Sequence, residues 1–407
     1  MKIAHIGDTH LGMVNYTKAN PLYGANERLL DYKKCLTFAV DTIIEREVEA
    51  VLFVGDAYKN RFPDATQKWY FEEEILRLIQ HGIYVVCVVG NHDSRGIEGA
   101  NSSLDSLKML QGGDEMVTVF STPGDMFLTN TTTFGDVHIS AMPWPSRKFL
   151  FDDPEQYKLS ADKMYALLKE KVDEKLHAMN VTAHQSACSS KILIGHLDVD
   201  EAEYSSEQTM VVKANLITEL SLLQQLDAYG YIGLGHIHKH QNIGTSLTPI
   251  VYCGSIERVD LSEENDDKGF CIFDIEDNQL TSFEFIKTPA RRMTTIEMNL
   301  TEDPLPTLTL AKELETRTVD GIICRIKYTT DPGVGIEWSK LKEFTDRMFH
   351  WSAIKKPSKQ LRQQGYIIEH TNLKETLTTY LEDKDLCQND AEVQEVLALA
   401  QTLMVVE

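Results

Sequence analysis

Five short stretches carry residue types that bind metals or move protons: "GDTH" at 7–10, "GD" at 55–56, "GNHD" at 90–93, "GH" at 195–196 and "GHIH" at 235–238. They offer Asp8, His10, Asp56, Asn91, His196, His236 and His238, a set of imidazoles and carboxylates with one amide. Imidazole with carboxylate suits Mn, Fe, Zn or Co rather than Ca, which prefers oxygen alone. So many protein ligands exceed what one ordinary site holds. They fit two cations sharing a carboxylate, an arrangement that lowers the pKa of bridging water and clamps phosphoryl oxygens. Singly each stretch is weak, because a lone histidine after a strand is more often structural. The weight lies in finding all five in one chain.

Such donors need elements that bring them together. "KIAHIGDTH", "AVLFVGD", "YVVCVVGNHD", "KILIGH" and "YIGLGHIH" are short apolar, β-branched-rich runs, each stopping at glycine and then a ligand type. They read as buried strands, with the glycine permitting a tight turn or close backbone approach. His236 and His238 alternate on extended backbone and so share one side, while Ile237 points back to the core. Helical periodicity fills the intervals in "NERLLDYKKCLTFAVDTIIERE", "ATQKWYFEEEILRLIQHG", with Gly82 as its stop, and "ADKMYALLKEKVDEKLHAM". Strand and helix alternating through the first ninety residues predict parallel βαβ units, whose ligands bind beyond the carboxyl ends of the strands. All five motifs are then expected on one rim. From residue 117 shorter strands follow, "MVTVF", "DVHISAMPW", "TPIVYCGS", "GFCIFDI" and "LTSFEFIK", and predict a second sheet packed on the first. Beyond residue 290, "RRMTTIEMNL" and "GIICRIKYTT" read as strands, and "LPTLTLAKELETRTV" and "GIEWSKLKEFTDRMFH" as helices.

The chain has 407 residues, enough for roughly two to three domains. No apolar run is long enough to span a membrane, and the N-terminus does not read as a signal peptide, so the cytoplasm is expected. The 7 cysteines are scattered, form no CxxC and read as reduced thiols. A formal charge of -22 argues against a protein that holds nucleic acid by electrostatics alone.

In their order, the five motifs resemble the calcineurin-like metallophosphoesterase signature. More narrowly, "HIGDTHLG", "GNHDSRG" and "YCGSIERVDLSEENDDKGFCIFDI" (252–275) resemble the SbcD family, the bacterial branch of the meiotic recombination 11 nucleases, over residues 1–290. The resemblance implies an α/β fold: a four-layer αββα sandwich of two mixed sheets, a small α+β capping domain and C-terminal helices. It implies a nuclease domain at 1–290, a DNA-capping domain at 291–354, a linker at 355–370 and an ATPase-binding helical segment at 371–407. One metal would take Asp8, His10, Asp56 and His238, the other Asp56, Asn91, His196 and His236, with Asp56 as bridge. His92 would face the scissile phosphate as a catalytic residue, oriented by Asp93. The cofactors would be two divalent ions, Mn2+ foremost, with Mg2+, Fe2+ or Co2+ as alternatives.

The implied activity is DNA double-strand exonuclease and single-strand or hairpin endonuclease. It would serve repair, recombination and replication, with an SbcC-type ABC ATPase as partner and a nucleoid-associated location. A homodimer within a heterotetramer is expected, with contacts around "SSLDSLKML" (102–110). Lys59, Arg61, Arg95, Arg291 and Arg292 are the expected DNA contacts, and the basic run "KKPSKQLRQQG" (355–365) is expected to serve as a tether. One departure stands out: "GDAYKN" puts Lys59 where the family often has a second histidine, and lysine is a poor proton shuttle at neutral pH. His5 reads as a core residue, His240 as a surface residue and "SEENDDKG" as a solvated loop. The competing readings are a small-nucleotide phosphodiesterase or phosphatase with the same site, and a DNA-end scaffold.

Overall fold

Among the described residues, two six-stranded sheets face each other and contribute alternate residues to a shared core. The computed structural model describes residues 1–16, 26–94, 101–110, 116–121, 131–146, 159–204 and 216–357. The N-terminal part runs β1 (Lys2–Ile6), α1 (Glu27–Glu45), β2 (Ala50–Phe53), α2 (Ala65–Gln80), β3 (Tyr84–Val88) and β4 (Val117–Phe120). Next come β5 (Thr131–Phe134), β6 (Val137–Met142), α3 (Ala161–Gln185), β7 (Ser190–His196), β8 (Asp198–Val199), β9 (Ile217–Thr218) and α4 (Leu220–Gln224). β10 (Tyr231–Gly235), β11 (Gln241–Asn242), β12 (Ile250–Tyr252), β13 (Gly269–Glu276) and β14 (Gln279–Lys287) follow. The first sheet has the order β14-β13-β1-β2-β3-β4 and the second β11-β12-β10-β7-β6-β5. β1 through β4 are parallel, as are β6, β7, β10 and β12, whereas β5, β11, β13 and β14 pair antiparallel.

Strand alternation builds the layers. Ile3, Leu52 and Val86 of the first sheet meet Ile139, Ile192 and Ile194 of the second. On the other face of the first sheet, Val51, Phe53 and Val85 pack on Leu36 and Ile43 of α1 and Phe71 and Leu78 of α2. Leu193, Ile232 and Leu234 likewise meet Leu168, Val172 and Leu176 of α3 and Leu223 of α4. The result is a helix–sheet–sheet–helix sandwich. Helix starts follow local chemistry: Asn26 caps α1, and Asp64 with Gln67 forms a capping box on α2.

One expectation is corrected. The later strands do not form the second sheet by themselves. "MVTVF" (β4), "GFCIFDI" (β13) and "LTSFEFIK" (β14) extend the first sheet, whereas the motif strands β7 and β10 sit at the centre of the second. Hydrophobic alternation states that a strand is buried, but its hydrogen-bond partner is a tertiary choice.

A third sheet lies beyond residue 290: β15 (Met293–Leu300), α5 (Pro306–Glu315), β16 (Ile323–Thr330) and β17 (His350–Lys355), with all three strands parallel. Its own core joins Ile296, Leu310, Leu314, Ile326 and Phe344. The helix expected over 335–350 is a 3-10 turn at Trp338–Leu341 and a single α turn at Lys342–Thr345. The unexpected strand β17 takes the rest, because pairing with the open edge of β16 outweighs local helical spacing. Arg95, the linker beyond residue 357 and the expected helices of 371–407 lie outside the described residues. Among those described, no helix is long and apolar enough to cross a membrane.

Candidate metal centre

The carboxyl ends of β1, β2, β3, β7 and β10 meet where the two sheets adjoin. Backbone bonds draw them together. Asp8 N donates to Gly55 O at 3.0 Å and His10 N to Asp56 O at 3.0 Å. His236 N donates to both Asp8 carboxylate oxygens, at 3.1 and 3.0 Å, which joins the end of β10 to the end of β1. His92 N donates to Asp56 Oδ1 at 2.9 Å. The turns are tight: Asp8, His10, Asp56 and His236 have φ of 50, 43, 53 and 101°, in the range that side-chain-bearing residues rarely adopt.

All seven expected ligands come together. Donor atoms of Asp8, His10 and His238 lie within 4.8 Å of one another, as do those of Asp56, His196 and His236. His10 Nε2 and His238 Nε2 are 2.9 Å apart. Asn91 Oδ1 is 3.0 Å from His196 Nε2 and 3.2 Å from His236 Nδ1. Asp56 Oδ2 stands between the groups, 3.8 Å from His10 Nε2 and 3.4 Å from His196 Nε2. Ligand atoms at right angles on one ion, each about 2.1 Å from it, are about 3 Å apart. The donor pairs have that spacing, so the residues fit two divalent cations.

Outer hydrogen bonds fix which ring nitrogen faces inward. His196 Nδ1 donates to Val54 O at 2.8 Å, and His238 Nδ1 to Glu263 Oε1 at 2.8 Å, leaving Nε2 of each for a ligand. His236 turns the other way, with Nε2 3.6 Å from Asp198 Oδ2. Trp144, at the end of β6, packs against His236 and His196 with ring centroids 4.9 and 5.9 Å away.

The protein groups alone polarise the cluster. Burial raises the Asp8 carboxyl above its ordinary range. Burial acts on Asp56 in the same sense, but His196, His92 and His10 outweigh it and hold that carboxyl well below its usual value. Burial disfavours the charged form of His196, yet Asp56 lifts it to about 9. Burial and the neighbouring His238 push His10 far down, with Lys59 among the smaller charges acting on it.

His92 stands over the cluster, half-buried, its ring 5.1 Å from that of His10 and its donor atom within 4.8 Å of those of His10 and Asp56. Its Nδ1 donates to the Lys59 carbonyl at 2.7 Å. Asp93 therefore does not orient it, which corrects the expected role. The Asp93 carboxylate instead accepts from Gly90 N at 3.2 Å, Ala57 N and Tyr58 N at 3.3 Å each, and Ser103 Oγ at 3.2 Å, clamping the loops after β2 and β3. Burial and the nearby Asp56 raise its carboxyl to about 7.

The expected DNA contacts fare unevenly. Lys59 is half-buried at the rim, and Arg61 and Arg292 are exposed. Arg291 is engaged within the protein: it donates to both Asp31 oxygens at 2.6 and 2.5 Å and to Gly321 O at 2.6 Å, and lies 3.8 Å over the Phe349 ring. Its guanidinium ties the third sheet to α1, which corrects the expectation of a phosphate contact. His5 is buried, with Nδ1 2.8 Å from the Tyr231 hydroxyl. His240 is not a plain surface residue, since it stacks on Phe285 at 4.0 Å and bonds Tyr252 O at 3.0 Å. Nor is "SEENDDKG" wholly solvated: Glu263 and Lys268 are buried.

Sequence reasoning missed Asp198, Trp144 and Glu263. Asp198 follows His196 by two residues, the spacing that puts both on one side of an extended chain, so it carried a signal. Trp144 ends a strand as the ligands do. Glu263 had none, being one acid among several.

The model of the calcineurin-like phosphoesterase family matches residues 1–240. The SbcD subunit of the nuclease SbcCD from Staphylococcus epidermidis is 25% identical over 300 residues, 73% of this chain and 72% of that protein. Its namesake in Escherichia coli K12 is 25% identical over 299 residues, covering 71% and 68%. DNA double-strand break repair protein Mre11 of Sulfolobus acidocaldarius is 33% identical over 94 residues, 23% of each chain. The chain belongs to the calcineurin-like phosphoesterase family, in the branch of the SbcD and Mre11 proteins, and is a metal-dependent hydrolase of phosphoesters.

Proposed function

We propose that the protein is a Mn2+-dependent DNA nuclease, acting as an exonuclease on double-strand ends and an endonuclease on single strands and hairpins, with an SbcC-type ABC ATPase. One observation carries the reading: donors for two cations converge at the joint of two sheets with His92 beside them. The names of the SbcCD relatives support DNA as substrate and a companion ATPase. Two divalent cations supply an activated water and withdraw charge from the phosphoryl oxygens. The chain's own work is positioning. Asp56 is shared between the donor groups, and Asp93 holds the Asp56 and Asn91 loops in register. With Nδ1 held by the Lys59 carbonyl, His92 presents Nε2 toward the cluster, where it stabilises transition-state charge and hands a proton to the leaving oxygen.

The third sheet serves as the DNA cap and 371–407 as the ATPase-binding segment. A charge of -22 favours delegating much of the DNA grip to that partner, and it also keeps a small-nucleotide phosphodiesterase as the second reading. The test compares wild type with His92→Ala, each with Mn2+, on linear DNA, hairpin DNA and a small phosphodiester. Both proteins should bind metal, and the variant should lose about 10²–10⁴ in DNA cleavage rate. Wild type that spares DNA but hydrolyses the small diester selects the second reading.

A further inference from the structure

His238 is held from behind more completely than any other expected ligand among the described residues. Its Nδ1 donates to Glu263 Oε1 at 2.8 Å. The second oxygen of that carboxylate, Oε2, is 2.8 Å from Lys268 Nζ and accepts from Val259 N at 2.9 Å. Lys268 closes the circuit by donating to the backbone carbonyl of His238 at 3.0 Å. Ring and main chain of one ligand are thus fixed by one ion pair, whose side chains are 0% and 2% exposed. A buried Glu–Lys pair brings little net stability over an apolar pair of like volume, so stability alone does not account for it. A carboxylate on the outer nitrogen of a metal-binding histidine sets the tautomer and aim of the ring.

The turn that carries Glu263 is also where the third sheet sits. Leu261 packs with Met293, Ile323 and Phe349. Arg258 donates to Glu263 O at 3.2 Å and to Arg291 O at 3.3 Å, bridging the turn to the entry of β15. A shift of the third sheet therefore bears on the turn, and through Glu263 on His238.

We propose that Glu263 is a positioning residue of the metal centre, fixing His238 with Nε2 inward, and that its turn couples the seating of the third sheet to that ligand. The proposal rests on the reading of His238 as a metal ligand. The test titrates full-length protein with Mn2+ by calorimetry and by the electron paramagnetic resonance of free ion, alongside thermal unfolding without metal. Glu263→Met with Lys268→Met removes the ion pair at similar volume and should keep the unfolding temperature. It should weaken one of the two Mn2+ ions about 10–100-fold and spare the other. Glu263→Gln with Lys268→Met keeps an acceptor for Nδ1–H and should restore most of that affinity. Leu261→Ala, which loosens the seat, should weaken the same ion several-fold.

Unchanged Mn2+ binding in the double-methionine protein overturns the proposal, as does equal loss in both double variants. Should the double-methionine protein not fold, unchanged Mn2+ binding in Leu261→Ala overturns it instead. Wild type that binds no Mn2+ overturns the metal reading itself, which separates the two failures.

Discussion

Gly90→Ala tests the claim that close backbone approach, more than donor identity alone, builds this centre. Gly90 joins β3 to the ligand Asn91. A Cβ there would stand 2.1 Å from Asp56 Oδ1, 2.6 Å from Asp56 N and 2.8 Å from Asp56 Cγ. Carbon–oxygen contacts are comfortable at about 3.3 Å, so Asp56 must retreat by about 1 Å, or the exit of β3 must shift by as much. Gly90 is not among the glycines with left-handed φ, so alanine adds no backbone strain and the effect falls on the shared carboxylate. Overpacking of this kind costs about 1–3 kcal/mol, which leaves the protein folded. A displacement of about 1 Å at a reacting centre costs about 10²-fold in rate. The expected result is a folded variant with both Mn2+ ions weakened and turnover down at least about 100-fold. Gly82→Ala is the control: nothing lies within 4 Å of its Cβ, but its φ of +73° costs about 1–2 kcal/mol on its own. It should lose similar stability with unchanged Mn2+ binding. Wild-type Mn2+ affinity and turnover in Gly90→Ala would refute the reasoning, as would loss of Mn2+ in the control.

Two further outcomes follow from the same geometry. Arg291→Ala strips Asp31 of a bidentate partner that is partly exposed, and should cost about 2–3 kcal/mol in thermal unfolding. The salt dependence of DNA binding should not change; a drop of about one in its logarithmic slope would restore Arg291 as a phosphate contact. In the metal-free protein Asp56 raises His196 to about 9, so this ring is charged at neutral pH and must shed its proton to act as a ligand. The sign is fixed: apparent Mn2+ affinity falls as pH drops below about 9, about tenfold per unit for one proton. Calorimetry near pH 7.5 in two buffers of different ionisation enthalpy should show about one proton released, and none released would count against the His196–Asp56 pairing.

The donors were legible in the sequence because their requirements are local. A buried strand must be apolar, a ligand beyond it polar, and glycine stands where backbones nearly touch. Gly235 shows the last point, since a Cβ there would lie 2.3 Å from Val54 O across the sheet joint. The partner of each strand was not legible: β4 and β13 carry the same apolar texture as β6 and β12 but pair in the other sheet. Residues that act through another residue were harder still. Glu263 differs from Glu264 beside it only in being buried, and its burial depends on Lys268 and on a sheet that begins at residue 293. Arg291 looked like a free cation because Asp31, its partner, is 260 positions away.

The backbone at the rim bears on how metal and fold depend on each other. Asp8, His10, Asp56 and His236 all sit at left-handed φ, and each such residue costs about 1–3 kcal/mol. Glycine could end these strands without that cost. The side chains are kept there because the turn aims each donor across the joint between sheets. The compensation comes from protein alone: Asp8 N on Gly55 O, His10 N on Asp56 O, His236 N on the Asp8 carboxylate, and the core that presses the sheets together. A centre held this way is organised before any cation arrives, unlike small zinc domains that fold only on binding. Protein stripped of metal by a chelator should therefore keep its circular dichroism and a cooperative unfolding transition. Adding Mn2+ at about 100 times the dissociation constant should add about 2.7 kcal/mol per site by mass action alone. A chelated protein that loses cooperative unfolding would mean that the cations, and not the sheet joint, hold the donors in place.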